Sequence, residues 1–364
     1  MKSFINIYES ISSAGDTNEL MQAIYNQKSA IEIDNTYMDG IEVGLGKIKE
    51  KDFFYFLEKV VERVLQRSNL EDFENTLLLV GSSVGGMAES ESHYFKDKNY
   101  TNIDPARHTI DVIAMHLNQE FAFCGTRSFS TACTSSANAL LLAKRLIEVG
   151  AYKNILVVGA DALCYTTVCG FYSLGVLSSK ACTPFDINRD GMNVAEAIGA
   201  ILVQDTQTSN SVELLGVGAS SDAYHMTNPD PQAKGAIKAM QNALDDAGLN
   251  TSDIDYINAH GTGTIANDKV EAFAITELFG DVIVNSTKAI IGHTLGAAAA
   301  MEAIISCEVL KQQIIPAQTS LKAQENQHLN ILTKEIKKDL TYVMSNSFAF
   351  GGNNVSIIFG KVKS

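Results

Sequence analysis

Residues 53–86 read FFYFLEKVVERVLQRSNLEDFENTLLLVGSSVGG, and this stretch passes from one kind of secondary structure to another. Its first part, 53–65, carries apolar side chains three or four residues apart, which is the period of an amphipathic helix. Thr76–Val80 is a short run typical of a buried strand, and it ends in the polar, glycine-rich turn 81–86. A helix that leads into a buried strand favours an α/β fold.

The same order of elements returns later in the chain. Residues 233–248 have helical spacing, Ile254–Ile257 has the pattern of a strand, and a polar turn that contains His260 follows. A second pair of segments shares another order, in which a polar turn opens an alanine-rich helix that leads to a strand. Its members are the helix 137–149 with the strand Ile155–Gly159, and the helix 297–310 with the strand Ile314–Ile315.

This repetition predicts two similar α/β halves, residues 1–208 and 209–364. The polar segment Asp205–Ser211 suits the connection between them. If the halves pack about a pseudo-dyad, Cys133 and His293 occupy equivalent helix N-termini and converge on one cavity.

Composition and charge exclude several classes of protein. The chain has 364 residues, a net charge of −14 and no long basic run, so general nucleic-acid binding is not expected. Six cysteines without paired metal-ligand spacing indicate reduced thiols, and hence a cytoplasmic protein. We expect no signal peptide, no membrane span and no metal or cofactor.

Cys133 lies between small residues in the stretch Ser130–Ser136, directly before a predicted helix. Free backbone amides and the helix dipole at such a position stabilise a thiolate, so we expect a reactive nucleophile with room for a substrate. Packing is the better interpretation for each of the other five cysteines.

Two histidines follow predicted strands or turns in glycine-rich surroundings. His260 precedes Gly-Thr-Gly-Thr, and His293 lies five residues after Lys288. A structural role for His260 and a surface position for Lys288 are the alternatives. A buried Lys288 would require a carboxylate partner, and Glu302 on the following helix is the candidate.

The C-terminal stretch 345–354 reads SNSFAFGGNN, a glycine-rich turn before a strand. Such a turn can direct a backbone amide at a developing oxyanion, although an ordinary hairpin has the same pattern. The turn Thr183–Gly191 contains Asp and Arg residues, for which a structural role is the better interpretation.

Taken together, and over residues 76–359, these motifs resemble those of the β-ketoacyl carrier-protein synthases, the elongating condensing enzymes of fatty-acid and polyketide assembly. The resemblance implies a thiolase-like fold of two βαβαβαββ halves in five αβαβα layers. It also implies decarboxylative Claisen condensation of an acyl thioester with a malonyl-carrier.

The resemblance implies a role for each matching residue. Cys133 takes the acyl chain, His260 and His293 bind the malonyl thioester carbonyl and stabilise the enolate, and Lys288 orients His293 through Glu302. The amides of Cys133 and Phe350 form an oxyanion hole, and Phe350 also gates the acyl pocket. Thr262, Thr264 and Thr227 line a phosphopantetheine tunnel. Asp268 and Glu271 belong to a supporting network behind the site.

Some residues depart from the usual pattern of this family. Residues 192–199 read MNVAEAIG instead of a glycine-rich run, and the segment 87–128 is short. The variant around Asn193–Ala197 is similar to compact ketosynthases of aryl polyene and flexirubin-type pigment clusters.

Other functions fit these residues less well. A chain-length-factor subunit, a catalytically silent partner of a ketosynthase, usually lacks the nucleophile that Cys133 supplies here. A thiolase would need a second cysteine near its C-terminus, a starter enzyme pairs its cysteine with His and Asn, and a hydrolase would need an orienting Asn or Asp.

Partners follow from the resemblance and from charge. It implies an acyl carrier protein with a phosphopantetheine arm, and a homodimer or a heterodimer with a paralogous subunit, with the strand Ile155–Gly159 at an edge in the interface. Because carrier proteins are acidic, Lys47, Lys49 and Lys51 are candidates for a local basic docking patch, although a solvated helix end has the same composition.

Overall fold

The computed structural model describes residues 1–49 and 52–362. The strands are β1 (Phe4–Ser12), β2 (Gly15–Asp16), β3 (Glu32–Asp34), β4 (Val43–Gly46), β5 (Thr76–Gly81), β6 (Gly125–Phe129), β7 (Asn154–Asp161), β8 (Val194–Ala195), β9 (Ala197–Gln204), β10 (Val212–Ser221), β11 (Tyr256–Asn258), β12 (Ile283–Asn285), β13 (Ile314–Ile315), β14 (Asn330–Ile331), β15 (Ile336–Lys337), β16 (Tyr342–Phe348) and β17 (Asn353–Lys361).

The helices are α1 (Thr17–Tyr25), α2 (Phe53–Arg67), α3 (Met87–Asp97), α4 (Pro105–His108), α5 (Val112–Phe121), α6 (Ser135–Glu148), α7 (Tyr165–Ser173), α8 (Lys234–Ala247), α9 (Ile265–Phe279), α10 (Lys288–Ile291) and α11 (Ala298–Gln312), with 3-10 turns at Thr251–Asp253 and Leu295–Ala297. The helix predicted from residues 53–65 begins after Asp52, whose carboxylate accepts a hydrogen bond from the N–H of Phe54 at 2.8 Å.

The two halves of the main sheet have the same topology. In the first half the strands lie in the order β6-β5-β7-β9-β1, and in the second half in the order β12-β11-β16-β17-β10. If the five strands of each half are numbered by their position along the chain, both half-sheets have the strand order 3-2-4-5-1. The directions also agree, because the first three strands of each order are parallel and the other pairings are antiparallel. The predicted internal repeat is therefore confirmed.

Five layers result from this repetition. Helices α6 and α11 lie between the inner faces of the two half-sheets and share one apolar core with them. Helices α2 and α5 cover the outer face of the first half-sheet, and α8 and α9 cover that of the second. Along β7 the side chains alternate between these cores, with Ile155 and Val157 inside and Leu156 and Val158 outside, as the pleat of a strand requires. The αβαβα arrangement agrees with the prediction.

The chain crosses between the halves through residues 205–211, the loop between β9 and β10. Strands β1 and β10 also pair with each other, in register at Phe4 and Glu213, so one sheet continues through both halves. The division at 208 and 209 stays a prediction.

Two predicted strand positions are wrong. The strand Ile155–Gly159 is not at an edge, since β7 lies between β5 and β9, and the end of this half-sheet is β6. The strand Ile314–Ile315 is not the repeat of β7, because β13 pairs only with β15 in a separate two-stranded sheet among the described residues. Strand β16, between β11 and β17, has the place in the second half-sheet that β7 has in the first. Sequence patterns show that a strand is buried, but its neighbours depend on tertiary pairing.

Candidate active site

The repeated topology brings Cys133 and His293 to equivalent places. Cys133 follows β6 and precedes α6, and His293 follows β12 and α10 and precedes α11. His260 directly follows the second-half strand β11 and reaches the same cavity. The sulfur of Cys133 and one ring nitrogen of each histidine lie within 4.8 Å of one another. The two imidazole rings are nearly perpendicular, with centroids 5.2 Å apart.

The turn before the nucleophile has an unusual backbone. Ala132 adopts φ +52°, a left-handed conformation that is uncommon for a residue with a Cβ. Its carbonyl accepts hydrogen bonds from the hydroxyls of Ser83, at 3.1 Å, and Ser135, at 2.6 Å. These contacts hold the bend that presents Cys133 to the cavity.

His293 is held by the backbone around it. Its Nδ1 accepts a hydrogen bond from the N–H of Leu295 at 3.0 Å, and its own N–H donates to the carbonyl of Asn193 at 2.7 Å. Because Nδ1 is an acceptor here, the neutral ring carries its proton on Nε2.

His260 is held by a buried lysine. The Nζ of Lys288 contacts the carboxylate of Glu302 and lies 3.4 Å from Nδ1 of His260. An ammonium group cannot accept a hydrogen bond, so Nδ1 of His260 is the acceptor and Nε2 carries the proton. Glu302 is thus the partner of Lys288 as predicted, and Lys288 is buried rather than at the surface.

The predicted orientation of His293 by Lys288 is wrong. Lys288 opens the four-residue helix α10, and the chain then turns at Gly292, where φ is +79°. After this turn, Nδ1 of His293 accepts from the N–H of Leu295, and Lys288 contacts His260 instead.

Burial keeps both imidazoles neutral. Desolvation lowers the pKa of His260 and of His293 well below the ordinary value, and the charge of Lys288 lowers both further. Two neutral rings with protons on Nε2 can donate hydrogen bonds to a developing oxyanion.

Burial opposes the thiolate that the sequence predicts at Cys133. Burial raises the pKa of the Cys133 thiol to about 11, although Lys288 and the backbone amides of Phe350 and Cys133 lower it. The desolvation cost exceeds these favourable interactions, so the resting nucleophile is a thiol. The backbone amides of Phe350 and Cys133 both interact with the Cys133 thiol, and the oxyanion hole that they would form stays a prediction.

Two buried carboxylates support the backbone behind the site. Glu271 accepts hydrogen bonds from the N–H groups of His260, at 2.8 Å, and Gly261, at 2.7 Å. Asp268 accepts one from the N–H of Phe185 at 2.8 Å and contacts that of Gly263 at 3.2 Å. Both side chains lie on the first turns of α9, so the helix fixes the loop that carries His260.

The cavity at Cys133 has a volume of about 220 Å³ and opens to solvent. All three threonines predicted for the phosphopantetheine tunnel, Thr227, Thr262 and Thr264, line it. Phe350, in the turn between β16 and β17, also lines it, and its ring lies 6.0 Å from that of Phe171. The C-terminal turn is therefore part of a hairpin and part of the cavity wall.

Sequence reasoning missed Asp161, at the end of β7. This buried carboxylate accepts hydrogen bonds from the N–H groups of Ser83, at 2.9 Å, Val84, at 3.1 Å, and Gly296, at 2.6 Å. It thereby links the loop behind Cys133 to the turn behind His293. An acidic residue directly after an apolar strand was the signal that could have identified it, because a buried carboxylate requires donors.

The proposed basic patch has acidic neighbours. Lys47 forms an ion pair with Asp34, and Lys49 forms one with Glu32 at 2.6 Å. Neither lysine lines the cavity, and Lys51 lies outside the described residues. This docking patch therefore stays a prediction.

Two further properties bear on function. Cysteine sulfur and imidazole nitrogens as close as those of Cys133, His260 and His293 could also hold a soft metal ion such as zinc. In the described part of the chain, no helix combines the length and the apolar character that crossing a membrane requires.

Sequence comparison identifies relatives of most of the chain. Residues 52–209 match the family described as Beta-ketoacyl synthase, N-terminal domain, and residues 211–322 match its C-terminal domain. The 3-oxoacyl-[acyl-carrier-protein] synthase 2 of Rhizobium meliloti (strain 1021) is 34% identical over 79% of this chain and 74% of its own length. That of Staphylococcus aureus (strain COL) is 31% identical over 78% of this chain and 75% of its own.

Solved structures agree with this assignment. A chain from the complex of a ketosynthase with its chain length factor from Xenorhabdus doucetiae superposes with a TM-score of 0.89, at 30% identity, over 99% of this chain and 98% of its own. A beta-ketoacyl synthase from Burkholderia phymatum STM815 gives 0.91 at 25% identity, with both chains fully covered. The thiolase-like fold of these ketosynthases is thus the fold described above, and the chain belongs to the β-ketoacyl synthase family.

Proposed function

We propose that this chain is a β-ketoacyl-[acyl-carrier-protein] synthase that uses Cys133, His260 and His293 in decarboxylative condensation. One observation carries the proposal: both Nδ1 atoms are occupied as acceptors, so two Nε2–H donors share a cavity with the sulfur of Cys133. This arrangement suits a thioester carbonyl that becomes an enolate.

The first step is acyl transfer. The sulfur of Cys133 attacks the carbonyl carbon of an acyl-carrier thioester, and the carbon–sulfur bond to the carrier breaks. The thiol proton passes to the departing carrier sulfur. The amides of Cys133 and Phe350 stabilise the oxyanion of the tetrahedral intermediate, and each such donor is typically worth about 10²- to 10³-fold in rate.

The second step is decarboxylation and condensation. The bond between the malonyl carboxylate and its neighbouring carbon breaks, carbon dioxide leaves, and the electron pair forms an enolate whose oxygen accepts from Nε2–H of His260 and His293. The enolate carbon then attacks the acyl carbon on Cys133, the carbon–sulfur bond breaks, and the released Cys133 thiolate takes a proton from water. Neutral histidines are suited to this step because they donate without requiring protonation.

A chain-length-factor role is the second candidate, because one solved relative comes from a complex of a ketosynthase with its chain length factor. Cys133, both histidines and Lys288 are all present and assembled here, which favours the catalytic role. We further propose an acyl carrier protein as the substrate carrier, a dimeric assembly, and a cytoplasmic location, where six free thiols would stay reduced. Membership of the aryl polyene or flexirubin type stays a prediction.

Intact-mass analysis tests the proposal. The protein is incubated with an acyl-carrier and then with a malonyl-carrier, and the mass of the protein and the carrier-bound product are measured. We expect one acyl group on the wild type, none on Cys133→Ala, and normal loading on the control Cys124→Ala, which changes an exposed thiol. Acyl loading that survives in Cys133→Ala would contradict the assignment, and the absence of both loading and condensation in the wild type would favour the chain-length-factor role.

A further inference from the structure

The two oxygens of the Asp161 carboxylate contact different parts of the molecule. Asp161 is the last residue of β7 and is fully buried. Its Oδ1 accepts hydrogen bonds from the hydroxyl of Ser82, at 2.5 Å, and from the N–H groups of Ser83, at 2.9 Å, and Val84, at 3.1 Å. Its Oδ2 accepts from the N–H of Ser83 at 2.9 Å and from that of Gly296 at 2.6 Å. Oδ1 thus holds the loop after β5, and Oδ2 also holds the turn before α11.

One branch of this network leads to the nucleophile. Ser83 donates its hydroxyl to the carbonyl of Ala132 at 3.1 Å, and Ala132 directly precedes Cys133. The left-handed backbone of Ala132, with φ +52°, is uncommon for a residue with a Cβ and persists where surrounding contacts hold it. Asp161 therefore acts on Cys133 through Ser83 and Ala132, which we call the Cys133 branch.

The other branch leads to His293. Gly296 follows Leu295, whose N–H donates to Nδ1 of His293 at 3.0 Å. Leu295 also has a left-handed backbone, with φ +53°. A Cβ on Gly296 would lie 2.7 Å from the backbone nitrogen of Ser83, so this turn packs directly against the loop after β5. Asp161 therefore acts on His293 through Gly296 and Leu295, which we call the His293 branch.

The surroundings of Asp161 suit the ionised form. Its hydrogen-bond partners in the described part of the chain are all donors, and a carboxylate can accept from each of them. Burial raises the pKa of Asp161 to about 6, and these hydrogen bonds oppose the rise. The group is therefore mostly ionised at neutral pH, where it can hold both branches.

We propose that Asp161 is a positioning residue that fixes the sulfur of Cys133 relative to the imidazole of His293, and that its two oxygens divide this task. The inference rests on the proposed function, which assigns Cys133 to acyl transfer and His293 to the enolate. A strand supplies the carboxylate, and groups supported from strands keep a more exact geometry than groups supported from loops. Loss of one oxygen should therefore impair one step of the reaction more than the other.

Asp161→Asn removes one of the two acceptors. The amide oxygen satisfies most donors in the place of Oδ1, where Ser82, Ser83 and Val84 converge. The NH₂ group then faces the N–H of Gly296, to which it cannot act as an acceptor, so the His293 branch is released.

The two steps are measured separately. Acylation of Cys133 by a hexanoyl-carrier is followed by intact mass until it is complete, and carbon dioxide release from a malonyl-carrier is then measured in a single turnover. For Asp161→Asn we expect carbon dioxide release to fall at least about tenfold, because a small displacement of His293 is costly, and the acylation rate to stay within about twofold of the wild type.

Ser83→Ala should have the opposite selectivity. It removes the hydroxyl that holds the carbonyl of Ala132, so we expect acylation to fall at least about threefold and carbon dioxide release to change less than about twofold. The matched control is Asp255→Asn, which changes a carboxylate that accepts from the N–H groups of Thr341, at 2.7 Å, and Tyr342, at 3.1 Å, away from the cavity. Both of its rates should stay at the wild-type level.

Equal losses of both rates in Asp161→Asn would show a general structural role and would overturn the inference. Wild-type rates in that variant would do the same. Ser83→Ala removes no buried charge, so it decides the matter if Asp161→Asn does not fold, and an unselective Ser83→Ala would also overturn the inference. A failure of the proposed function is distinct, because the wild type would then neither take an acyl group nor release carbon dioxide.

Discussion

At the scale of single residues, the two imidazoles differ in what holds them. His260 depends on the ammonium group of Lys288, and His293 depends on the N–H of Leu295. A side chain can be substituted, but the backbone donor of His293 cannot be removed in this way. The two histidines therefore differ in their sensitivity to mutation of their surroundings.

Lys288→Met tests this difference. Removal of the ammonium group frees the tautomer of His260, so we expect decarboxylation of a malonyl-carrier to fall about 10²-fold. It also leaves the buried carboxylate of Glu302 unpaired, which should lower the free energy of unfolding by about 3–5 kcal/mol. Carbon dioxide release and chemical denaturation measure the two effects.

The double variant Lys288→Met, Glu302→Leu separates activity from stability. Replacing both charges by apolar side chains should restore most of the stability without restoring decarboxylation. If activity returned together with stability, the lysine would have only a structural role.

The pH dependence of Cys133 is a second test at this scale. With a pKa of about 11, the thiolate fraction rises tenfold for each pH unit from pH 7 to pH 10, and at pH 8 about one thiol in a thousand is ionised. Alkylation of Cys133 by iodoacetamide, followed by peptide mass mapping, should rise in the same way. A rate that levels off below pH 9 would show that the amides and Lys288 outweigh burial.

At the scale of elements, the close approach of helices and strands around the site depends on a glycine. A Cβ on Gly159, in β7, would lie 2.7 Å from the Cβ of Ala300, on α11, and 2.9 Å from that of Ser136, on α6. These are the helices that follow Cys133 and His293 in the chain, so β7 sets the separation of the catalytic helices.

Gly159→Ala should therefore lower the free energy of unfolding by about 1–3 kcal/mol through overpacking. The matched control is Gly170→Ala, in α7, where a Cβ meets no atom within 4 Å. Since alanine is more favourable than glycine inside a helix, this change should raise the free energy of unfolding by about 0.5–1 kcal/mol. Urea denaturation of both variants measures the contrast. Equal stability of the two would show that the helices can move apart without cost.

The turn between β16 and β17 has a similar pair of glycines. Gly351 and Gly352 both have positive φ, +83° and +79°, but only a Cβ on Gly352 would meet close neighbours, Oδ1 of Asp222 at 2.2 Å and the backbone nitrogen of Ala223 at 3.0 Å. Gly352→Ala should displace the amide of Phe350 and reduce acyl transfer to Cys133 by at least tenfold relative to Gly351→Ala. Decarboxylation of a malonyl-carrier, which uses the histidines, should differ less than threefold between them. Equal acyl transfer by the two variants would place the oxyanion hole elsewhere.

At the scale of the whole molecule, β6 presents an open strand edge. Among the described residues it pairs with β5 on one side only, and Met115, on the neighbouring helix α5, adds exposed apolar surface. An unpaired edge with apolar surroundings favours association.

We expect light scattering of the purified chain to give a mass near twice 39.3 kDa. Ser128→Pro, which prevents regular pairing along β6, should give the monomer mass while circular dichroism stays unchanged. A dimer that survives this substitution would place the interface elsewhere. A wild-type monomer that doubles its mass only with a paralogous subunit would indicate a heterodimer.

Much of this molecule follows from local patterns in its sequence. The helical period of residues 53–65, the buried strands and the polar turns predicted the elements, their repetition and the three turns that carry Cys133, His260 and His293. The pairing of Lys288 with Glu302 also followed, because a buried ammonium group requires a carboxylate. These features depend on residues close in sequence or on the general cost of burying charge.

Only the tertiary structure decided the remaining features. The central place of β7, the contact of Lys288 with His260 rather than His293, the role of Asp161 and the raised pKa of Cys133 all depend on segments distant in sequence. Strand order, side-chain direction and desolvation are properties of packing, which local periodicity does not encode. The sequence by itself thus determined which groups are reactive, and the packed structure decided their partners, protonation and accessibility.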